Sequence, residues 1–272
     1  MADLRAVYII WYRDLLRFWR DKARIVSALA QPLMFLVLLG PGLSAGMGLL
    51  GRNPLGEGVD YVKFLYPGII VMTVLFSAMF SAMSVVWDRE FGFLKEVLVA
   101  PISRAAVAVG KALGGSTIAM VQGAILLIFA PLIGLRLSLT AVAVPLPLLF
   151  LTAFSITALG LMVAARLRTI ESFHMIMNFM VMPMFFLSGA LFPLNNLPDW
   201  LSLLTNLNPV TYGVNPIRLV IVQATNLPSQ VLPPLGFTLG STYVSLTHDV
   251  VILSAFSVAM ILLAVQAFSR QE

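Results

Sequence analysis

The chain has 272 residues, of which 60% are hydrophobic and 11% are charged, with a formal net charge of +5. Soluble domains carry about 25% charged residues, so this composition excludes an ordinary globular protein and is typical of a membrane protein. The absence of cysteine excludes disulfides, thiolate metal sites and a cysteine nucleophile. Nucleic acid is not an expected partner, because the basic residues flank apolar runs instead of forming a soluble patch.

The first 24 residues mix aromatic and aliphatic side chains with arginines, such as Trp11 and Phe18 beside Arg13 and Arg17. This mixture predicts an interfacial helix, with rings at headgroup depth and arginines toward anionic membrane lipid. The alternative is that the segment simply begins the first membrane span on the cytoplasmic side.

Six apolar runs are long enough to cross a bilayer, which takes about 20 residues at a rise of about 1.5 Å each. The predicted spans are 25–50, 64–86, 112–135, 137–165, 172–192 and 250–269. The fold class predicted from them is an all-α membrane protein with six transmembrane helices in one domain that covers residues 1–272. Pro32 and Pro41 predict a kinked or locally unwound helix in the first span.

Lysine and arginine are distributed unevenly between the segments that connect the spans. With the N-terminus in the cytoplasm, 13 of the 17 basic residues lie inside, among them Lys111. The positive-inside rule therefore predicts a multi-pass protein with both termini cytoplasmic. It also puts segment 87–111 inside and segment 193–247 outside.

Segment 87–111 concentrates charge in a chain that has little of it elsewhere. Phe91 and Leu94 recur at helical spacing with Lys95 on the other side, which predicts a short amphipathic helix at the membrane surface, ended by Pro101. A salt-bridged surface helix without a partner is the simpler interpretation. We favour docking of a partner, because an apolar face with charges of both signs suits a specific protein surface better than lipid.

Segment 193–247 is the longest stretch between predicted spans. The leucine-rich run around Trp200 is too short to span, and Pro198 and Asp199 suit the first turn of a helix there. A second short helix is predicted at 214–222. We expect both helices to re-enter the outer leaflet, since a plain surface loop rarely carries so much leucine.

The motifs of catalysis and of ATP binding are absent from the sequence. Gly110 and Lys111 are followed by alanine and leucine, so the chain has no P-loop. Charged residues are absent from the middle of the spans, so ion coupling lacks its usual groups. Close helix approach and oligomerisation are favoured by small residues at i, i+4 spacing: Gly42 and Gly46, Ala78 and Ala82, and Gly110 and Gly114.

The fifth predicted span is rich in methionine. Its methionines fall on all sides of the helix, which favours apolar packing or the lining of a path for greasy substrates over a copper site, so no metal is expected. Asn178 is expected to hydrogen-bond between helices. The candidate residues of a substrate path are Met177, Asn178, Met184 and Phe185.

Two motifs, in this order around six spans, carry a resemblance to a known family. The first reads Asp88-Arg-Glu-x-Gly92, then Leu98-x-x-Pro101-Ile-Ser-Arg104. The second reads Phe192-Pro-Leu, Leu197-Pro, Trp200-Leu, Asn208-Pro-x-Thr-Tyr212 and Arg218. With the region Arg13–Pro32, they make the chain resemble the membrane subunits of type-2 ABC exporters, a family that includes daunorubicin-type drug exporters and nodulation-factor and polysaccharide exporters. Asn215 departs from the pattern, since many relatives have an acidic residue there, and this leaves an ion pair with Arg218 unsupported.

The resemblance implies a permease that works as a homodimer with two copies of an ABC ATP-binding subunit. ATP and Mg would bind to that subunit, and this chain would hold neither a cofactor nor a catalytic site. The helix in 87–111 would be the coupling helix, and the helices after residue 192 would form an extracellular gate. The coupling residues would be Asp88, Arg89, Glu90, Gly92, Leu94, Lys95, Pro101 and Arg104. The gate residues would be Phe192, Pro193, Leu197, Pro198, Trp200, Asn208, Pro209, Tyr212 and Arg218.

The expected cargo is a hydrophobic or amphipathic molecule, such as a drug, a lipid or a lipid-linked glycan, exported across the cell membrane of a prokaryote. Uncharged spans rich in methionine and phenylalanine offer little to a charged cargo. The alternative is a membrane-embedded enzyme of lipid or glycan metabolism, for which Glu171 and His174 are the only close pair of suitable residues. A third alternative is an assembly or immunity protein that transports nothing.

Overall fold

The computed structural model describes residues 2–49, 61–91, 102–135, 139–194, 197–224, 238–239 and 242–269. The N-terminal part contains α1 (Ala2–Arg20), α2 (Lys22–Met34), a π-helical turn (Phe35–Leu39) and α3 (Gly40–Leu49). The central part contains α4 (Tyr61–Glu90), α5 (Arg104–Ile128), a 3-10 turn (Ala130–Ile133), α6 (Leu139–Ala143) and α7 (Pro145–Ala164). The C-terminal part contains α8 (Ile170–Phe186), α9 (Asp199–Leu207), α10 (Thr211–Ala224), β1 (Thr238–Leu239), β2 (Thr242–Tyr243) and α11 (Leu246–Ser269). The described chain is therefore helical apart from turns and one antiparallel pair of two-residue strands.

Five stretches are long and apolar enough to cross a membrane, counting only the described residues. They are 25–42, α4, α5, 141–164 and α11. The predicted span 172–192 corresponds to α8, which is apolar but has only 17 residues. A turn follows α8, with Gly189 at a φ of +74°, a left-handed conformation that favours glycine.

α4 is the central helix of the structure. α5, α7 and α8 pack around it, and α11 packs against the far side of α7. The side chains of α4 from Phe64 to Leu75 are buried without a break, as expected for a helix that is covered on all sides. By contrast, the first span and α11 bury only a small share of their side chains, so their apolar faces remain open to lipid or to another protein.

α8 and the turn that follows it lie beside α4 over most of the length of α4. At one end, the Ile170 amide donates to Glu90 at the end of α4. At the other end, a β-carbon added to Gly68 would lie 2.5 Å from the carbonyl oxygen of Ala190, just after α8. α8 therefore runs antiparallel to α4, from the level of Glu90 to the level of Gly68.

α1 runs alongside the first half of α5 and in the same direction. Asp3 accepts a hydrogen bond from the Ser103 amide, and Trp11 Nε1 donates to Thr117 Oγ1 at 3.1 Å. The helix predicted at residues 1–24 corresponds to α1, which ends at Arg20, and the residues from Lys22 onward belong to α2. Its position at the lipid interface stays a prediction.

Two of the three small-residue spacings make helix contacts within the chain. A β-carbon added to Gly110 would lie 3.0 Å from the β-carbon of Ile10, and one added to Gly114 would lie 3.2 Å from that of Asp14. These two glycines therefore let α1 pack closely against α5. Ala82 packs against Gly160 of α7 in the same way. Neither spacing therefore argues for a second copy of the chain. Within the part of the chain that the structure describes, no atom lies within 4 Å of a β-carbon added to Gly42 or Gly46.

The structure corrects the sequence interpretation of segment 87–111 at both of its ends. Trp87 to Glu90 are the last turn of α4, rather than the start of a separate helix. α5 begins at Arg104, eight residues before the predicted span, so Lys111 lies inside this helix and is buried. In the first span, the predicted irregularity is the π-helical turn that follows Pro32.

Candidate functional site

Two neighbouring charges at the end of α4 hold the turn between α7 and α8. The Arg89 guanidinium donates to the carbonyl oxygens of Leu167 and, at 3.2 Å, Ala165, which lie just after α7. Glu90 Oε2 accepts from the Ile170 amide at 3.0 Å, at the start of α8. A cation at a helix C-terminus and an anion at an N-terminus both complement the helix dipole. The end of α4 is thereby fixed to two other helices.

A cluster of ion pairs joins α4 to α1 and α5. Lys111 Nζ lies 2.9 Å from Asp88 Oδ2 and 3.6 Å from Asp14 Oδ1, and it donates to Ser84 Oγ at 3.1 Å. Arg13 lies 3.7 Å from the same oxygen of Asp88. The Lys111 side chain is only 5% exposed. Removing one partner of such a buried pair leaves an uncompensated charge, so the cluster fixes how the three helices meet.

The start of α5 is tied to both ends of the chain. Arg104 Nη1 donates to the carbonyl oxygens of Phe268 and Ser269 at the C-terminus of α11. Ser103 caps α5 by accepting from the Ala106 amide, and its own amide donates to Asp3. The pKa of the Asp3 carboxyl is lowered, chiefly by that backbone hydrogen bond.

These contacts frame segment 92–101, which lies outside the described residues together with the predicted coupling residues Gly92, Leu94, Lys95 and Pro101. The predicted coupling residues Asp88, Arg89, Glu90 and Arg104 are described, and each of them contacts another helix. Segment 92–101 is therefore attached at one end through α4 to α1, α5 and the α7–α8 turn. At its other end it is attached through α5 to α1 and α11.

On the opposite side of the bundle, polar groups hold the chain after α8 against the start of α10. Asn208 Nδ2 donates to the Met184 carbonyl at 2.7 Å, and Thr211 Oγ1 donates to that of Leu187. The Tyr212 hydroxyl donates to the Asn206 carbonyl at 2.7 Å. Asn208 and Tyr212 are thus buried parts of one structural corner.

Arg218 is buried among apolar groups. Its Nη2 donates to the Gly189 carbonyl at 2.6 Å, and its Cζ lies 4.1 Å from the centre of the Phe64 ring. The partner of Asn215 is Asp249 at the start of α11, to which Asn215 Nδ2 donates at 2.7 Å. The sequence left an ion pair between positions 215 and 218 unsupported. The structure instead joins α10 to α11 through Asn215 and to the α8 turn through Arg218.

The other predicted gate residues lie closer to the surface. Trp200 is 66% exposed, and Leu203, Leu204 and Leu207 on α9 are exposed with it. Pro198 is exposed, and Phe192, Pro193, Leu197 and Pro209 are partly buried. α9 therefore presents an apolar face that no part of the described chain covers.

The candidate residues of a substrate path do not share one face of α8. Met177 and Phe185 are buried in the core against α4, whereas Asn178 is exposed and Met184 is partly buried. The exposed face of α8 carries Phe179, which is 81% exposed, with Asn178 beside it. A path along all four residues stays a prediction.

Sequence reasoning missed the partners of the charged residues. Asp14, Lys111 and Asp249 were not singled out as site residues, and each forms a contact between helices that are far apart in the sequence. The one available signal was that Lys111 follows six residues without charge and precedes a long apolar run. Glu171 and His174, the pair considered for an enzyme, are both exposed on α8.

Comparison with known proteins gives a family for the chain. The sequence profile described as ABC-2 type transporter matches residues 5–222, from α1 to α10. A protein of Cyanophora paradoxa named transport permease ycf38 is 30% identical over 239 residues, covering 86% of this chain and 80% of that protein. The protein of the same name in Porphyra purpurea is 32% identical over 212 residues, covering 76% of this chain and 71% of that protein. Nodulation protein J of Sinorhizobium fredii is 28% identical over 213 residues, covering 77% of this chain and 78% of that protein.

Proposed function

The chain belongs to the ABC-2 type transporter family, and on that premise we propose that it is the membrane subunit of an ATP-driven exporter. Its partners are two copies of an ABC ATP-binding subunit, which hold ATP and Mg, and a second copy of the permease. The cargo is a hydrophobic or amphipathic molecule, such as a drug, a lipid or a lipid-linked glycan. The complex lies in the cell membrane of a prokaryote.

The observation that carries this proposal is the attachment of both ends of segment 92–101 to other helices. A force applied to this segment reaches α7 and α8 through Arg89 and Glu90, and it reaches α11 through Arg104. Direct contacts of this kind let a partner on the cytoplasmic side change the packing of several spans at once. A segment joined only to its own two helices would transmit much less.

Exposed aromatic side chains support docking of a partner next to segment 92–101. The rings of Trp87 and Phe91 lie 5.6 Å apart, and both are exposed, at 41% and 61%. Tyr8 and Tyr12 of α1 stack at 6.0 Å and are exposed as well. Exposed aromatic groups beside charges of both signs are typical of protein interfaces.

Six membrane crossings follow if α8 is counted as a span. α8 and the turn to Ala190 cover the height of α4 from Glu90 to Gly68, which is about 33 Å at 1.5 Å per residue and is enough for a bilayer. An even number of crossings puts both termini on the cytoplasmic side, in agreement with the distribution of basic residues. α9 and α10 then lie on the outer side.

The gate is the apolar face of α9. We place this face against the second copy of the permease, where Trp200 and the neighbouring leucines close the outer end of the path. The buried corner at Asn208, Tyr212 and Arg218 fixes α9 and α10 to α8 and the turn that follows it. Movement of α8, driven from Glu90 at its cytoplasmic end, is thereby passed to the gate.

The test is ATP hydrolysis by the associated ATP-binding subunit, measured with the wild-type chain and with Glu90→Ala and Gly92→Pro. Both variants are expected to bind the subunit but to lose most of the cargo-stimulated rate. Glu90→Ala removes the carboxylate that accepts from the Ile170 amide at the start of α8, and Gly92→Pro restricts the backbone of segment 92–101. Asp199→Ala is the matched control, since this exposed carboxylate lies at the start of α9. Normal stimulation in both variants, or the absence of any associated ATPase, would overturn the proposal.

A further inference from the structure

A cleft of about 240 Å³ opens between α2, α4 and α5. It lies near the middle of the bundle, because Thr73 on its wall is about 25 Å from Glu90 and about 18 Å from Tyr61 along α4 at 1.5 Å per residue. Five of the side chains that line it are polar and uncharged: Ser27, Gln31, Thr73, Ser77 and Gln122. Phe76 and Phe80 form an apolar wall beside them.

Gln122 has a buried acceptor without a partner in the structure. The residue is 2% exposed, and its Oε1 atom accepts no hydrogen bond from any residue that the structure describes. A polar atom left unsatisfied inside a membrane protein is costly, because the hydrocarbon around the protein supplies no donor. Such an atom on the wall of a cleft calls for a ligand that donates to it.

A larger cleft, of about 380 Å³, lies toward the cytoplasmic side of the first one. Phe80 lines both clefts, and Asp14, Arg17 and Asp21 of the α1 region line only the larger one. The two clefts are therefore neighbours along α4, with Phe80 between them.

We propose that the cleft between α2, α4 and α5 binds an uncharged hydrogen-bond donor of the cargo, such as a hydroxyl or amide N–H group, at Gln122. The apolar part of the cargo lies against Phe76 and Phe80. A charged headgroup is not accepted here, because none of the lining residues that the structure describes carries a charge to pair with it. This inference rests on the proposed export function and narrows its substrate class to neutral amphiphiles with a donor group.

The test uses two photoreactive probes that differ only in the donor. One is a 16-carbon alcohol that carries a diazirine, and the other is its methyl ether. The intact complex is labelled in lipid nanodiscs, and mass spectrometry locates the label. In the wild type, the alcohol is expected to label the cleft about fivefold more than the ether does, which corresponds to one neutral hydrogen bond.

Gln122→Met keeps the size of the side chain but removes the acceptor, so it is expected to lower labelling by the alcohol to the level of the ether. If Gln122→Met does not fold, Ser77→Ala on α4 is the second variant. It is expected to lower the same ratio, because it removes another polar group that lines the cleft. Ser116→Ala is the matched control, because Ser116 is buried on the same helix and its hydroxyl donates to the Ala112 carbonyl within that helix.

Equal labelling by the two probes in the wild type would overturn the proposal, and so would a ratio that stays unchanged in Gln122→Met. Label found only outside the cleft would do the same. These outcomes do not depend on ATP hydrolysis. The cleft proposal can therefore fail while the ATPase test of the proposed function succeeds. The ATPase test can equally fail while the labelling test succeeds.

Discussion

Single residues in this protein act mainly by joining helices, and adjacent residues often join different ones. Arg89 binds carbonyl groups at the end of α7, and Glu90 binds an amide at the start of α8. The two charges cannot be exchanged, because each matches the sign of the helix end that it contacts. The same specificity applies to the pair Asn215 and Asp249, where one side chain donates and the other accepts.

Exchange of the amide and the carboxylate at positions 215 and 249 tests that pair. Asn215→Asp alone is expected to lower the free energy of unfolding by about 2 kcal/mol, because two carboxylates would then face each other without the donor. The double variant Asn215→Asp with Asp249→Asn is expected to recover most of the loss, since the donor and the acceptor have only changed places. The measurement is the thermal unfolding midpoint of the purified chain in detergent.

The double variant is its own control, because it has the same composition as the wild type. Non-additivity between the two single substitutions measures their interaction. If the double variant is as unstable as the sum of both single variants, the hydrogen bond between α10 and α11 does not contribute to stability.

At the scale of elements, α1 is held mainly by its packing against one other helix, α5. The glycines at 110 and 114 let it approach α5 closely, and contacts at Asp3 and Asp14 hold it at two levels. A helix held in place only by lipid would need neither the close approach at the glycines nor the contacts at the two aspartates. α1 is therefore an integral part of the bundle, at the end from which segment 92–101 leaves α4.

Gly110→Leu is expected to displace α1, because even a β-carbon there would lie 3.0 Å from Ile10 and 3.2 Å from the Val7 carbonyl oxygen. The reporter is a disulfide between Asp14→Cys and Gly114→Cys, whose β-carbons would lie about 3.2 Å apart, close to the disulfide range. Cross-linking, quantified by mass spectrometry, should fall severalfold in Gly110→Leu. Gly46→Leu is the control, since no atom of the described residues lies within 4 Å of a β-carbon there. Equal cross-linking yields in Gly110→Leu and Gly46→Leu would contradict the close packing of α1 against α5.

At the scale of the whole molecule, the topology depends on α8. If α8 crosses the membrane, segment 92–101 and α9 lie on opposite sides, and if it does not, they lie on the same side. The chain has no cysteine of its own, so one introduced thiol reports one position without background.

Lys95→Cys and Asp199→Cys test this topology with a membrane-impermeant maleimide. Asp199→Cys is expected to react in intact cells, and Lys95→Cys only in inverted membrane vesicles. The reason is that α5, α7 and α8 cross the membrane three times between the two positions. Reaction of both variants from the same side would show that α8 does not cross and that the number of spans is odd.

Much of the architecture could be predicted from the sequence by itself. Composition placed the chain in a membrane, and the apolar runs located the helices that the structure describes as long enough to cross it. The leucine-rich run after Pro198 predicted α9 almost to the residue, and the two ordered motifs indicated the family. These signals are local, because helix periodicity, capping and hydrophobic length are properties of neighbouring residues.

The tertiary structure alone decided which side chains meet. Glu90 and Ile170 are 80 positions apart, and Trp11 and Thr117 are 106 apart, so no local pattern connects them. Lys111 was predicted to be a cytoplasmic surface charge, and only the packing of α1 against α5 showed that it is buried between Asp14 and Asp88. The physical reason is that helix rotation and pairing depend on the fit of whole surfaces, which a one-dimensional pattern does not contain.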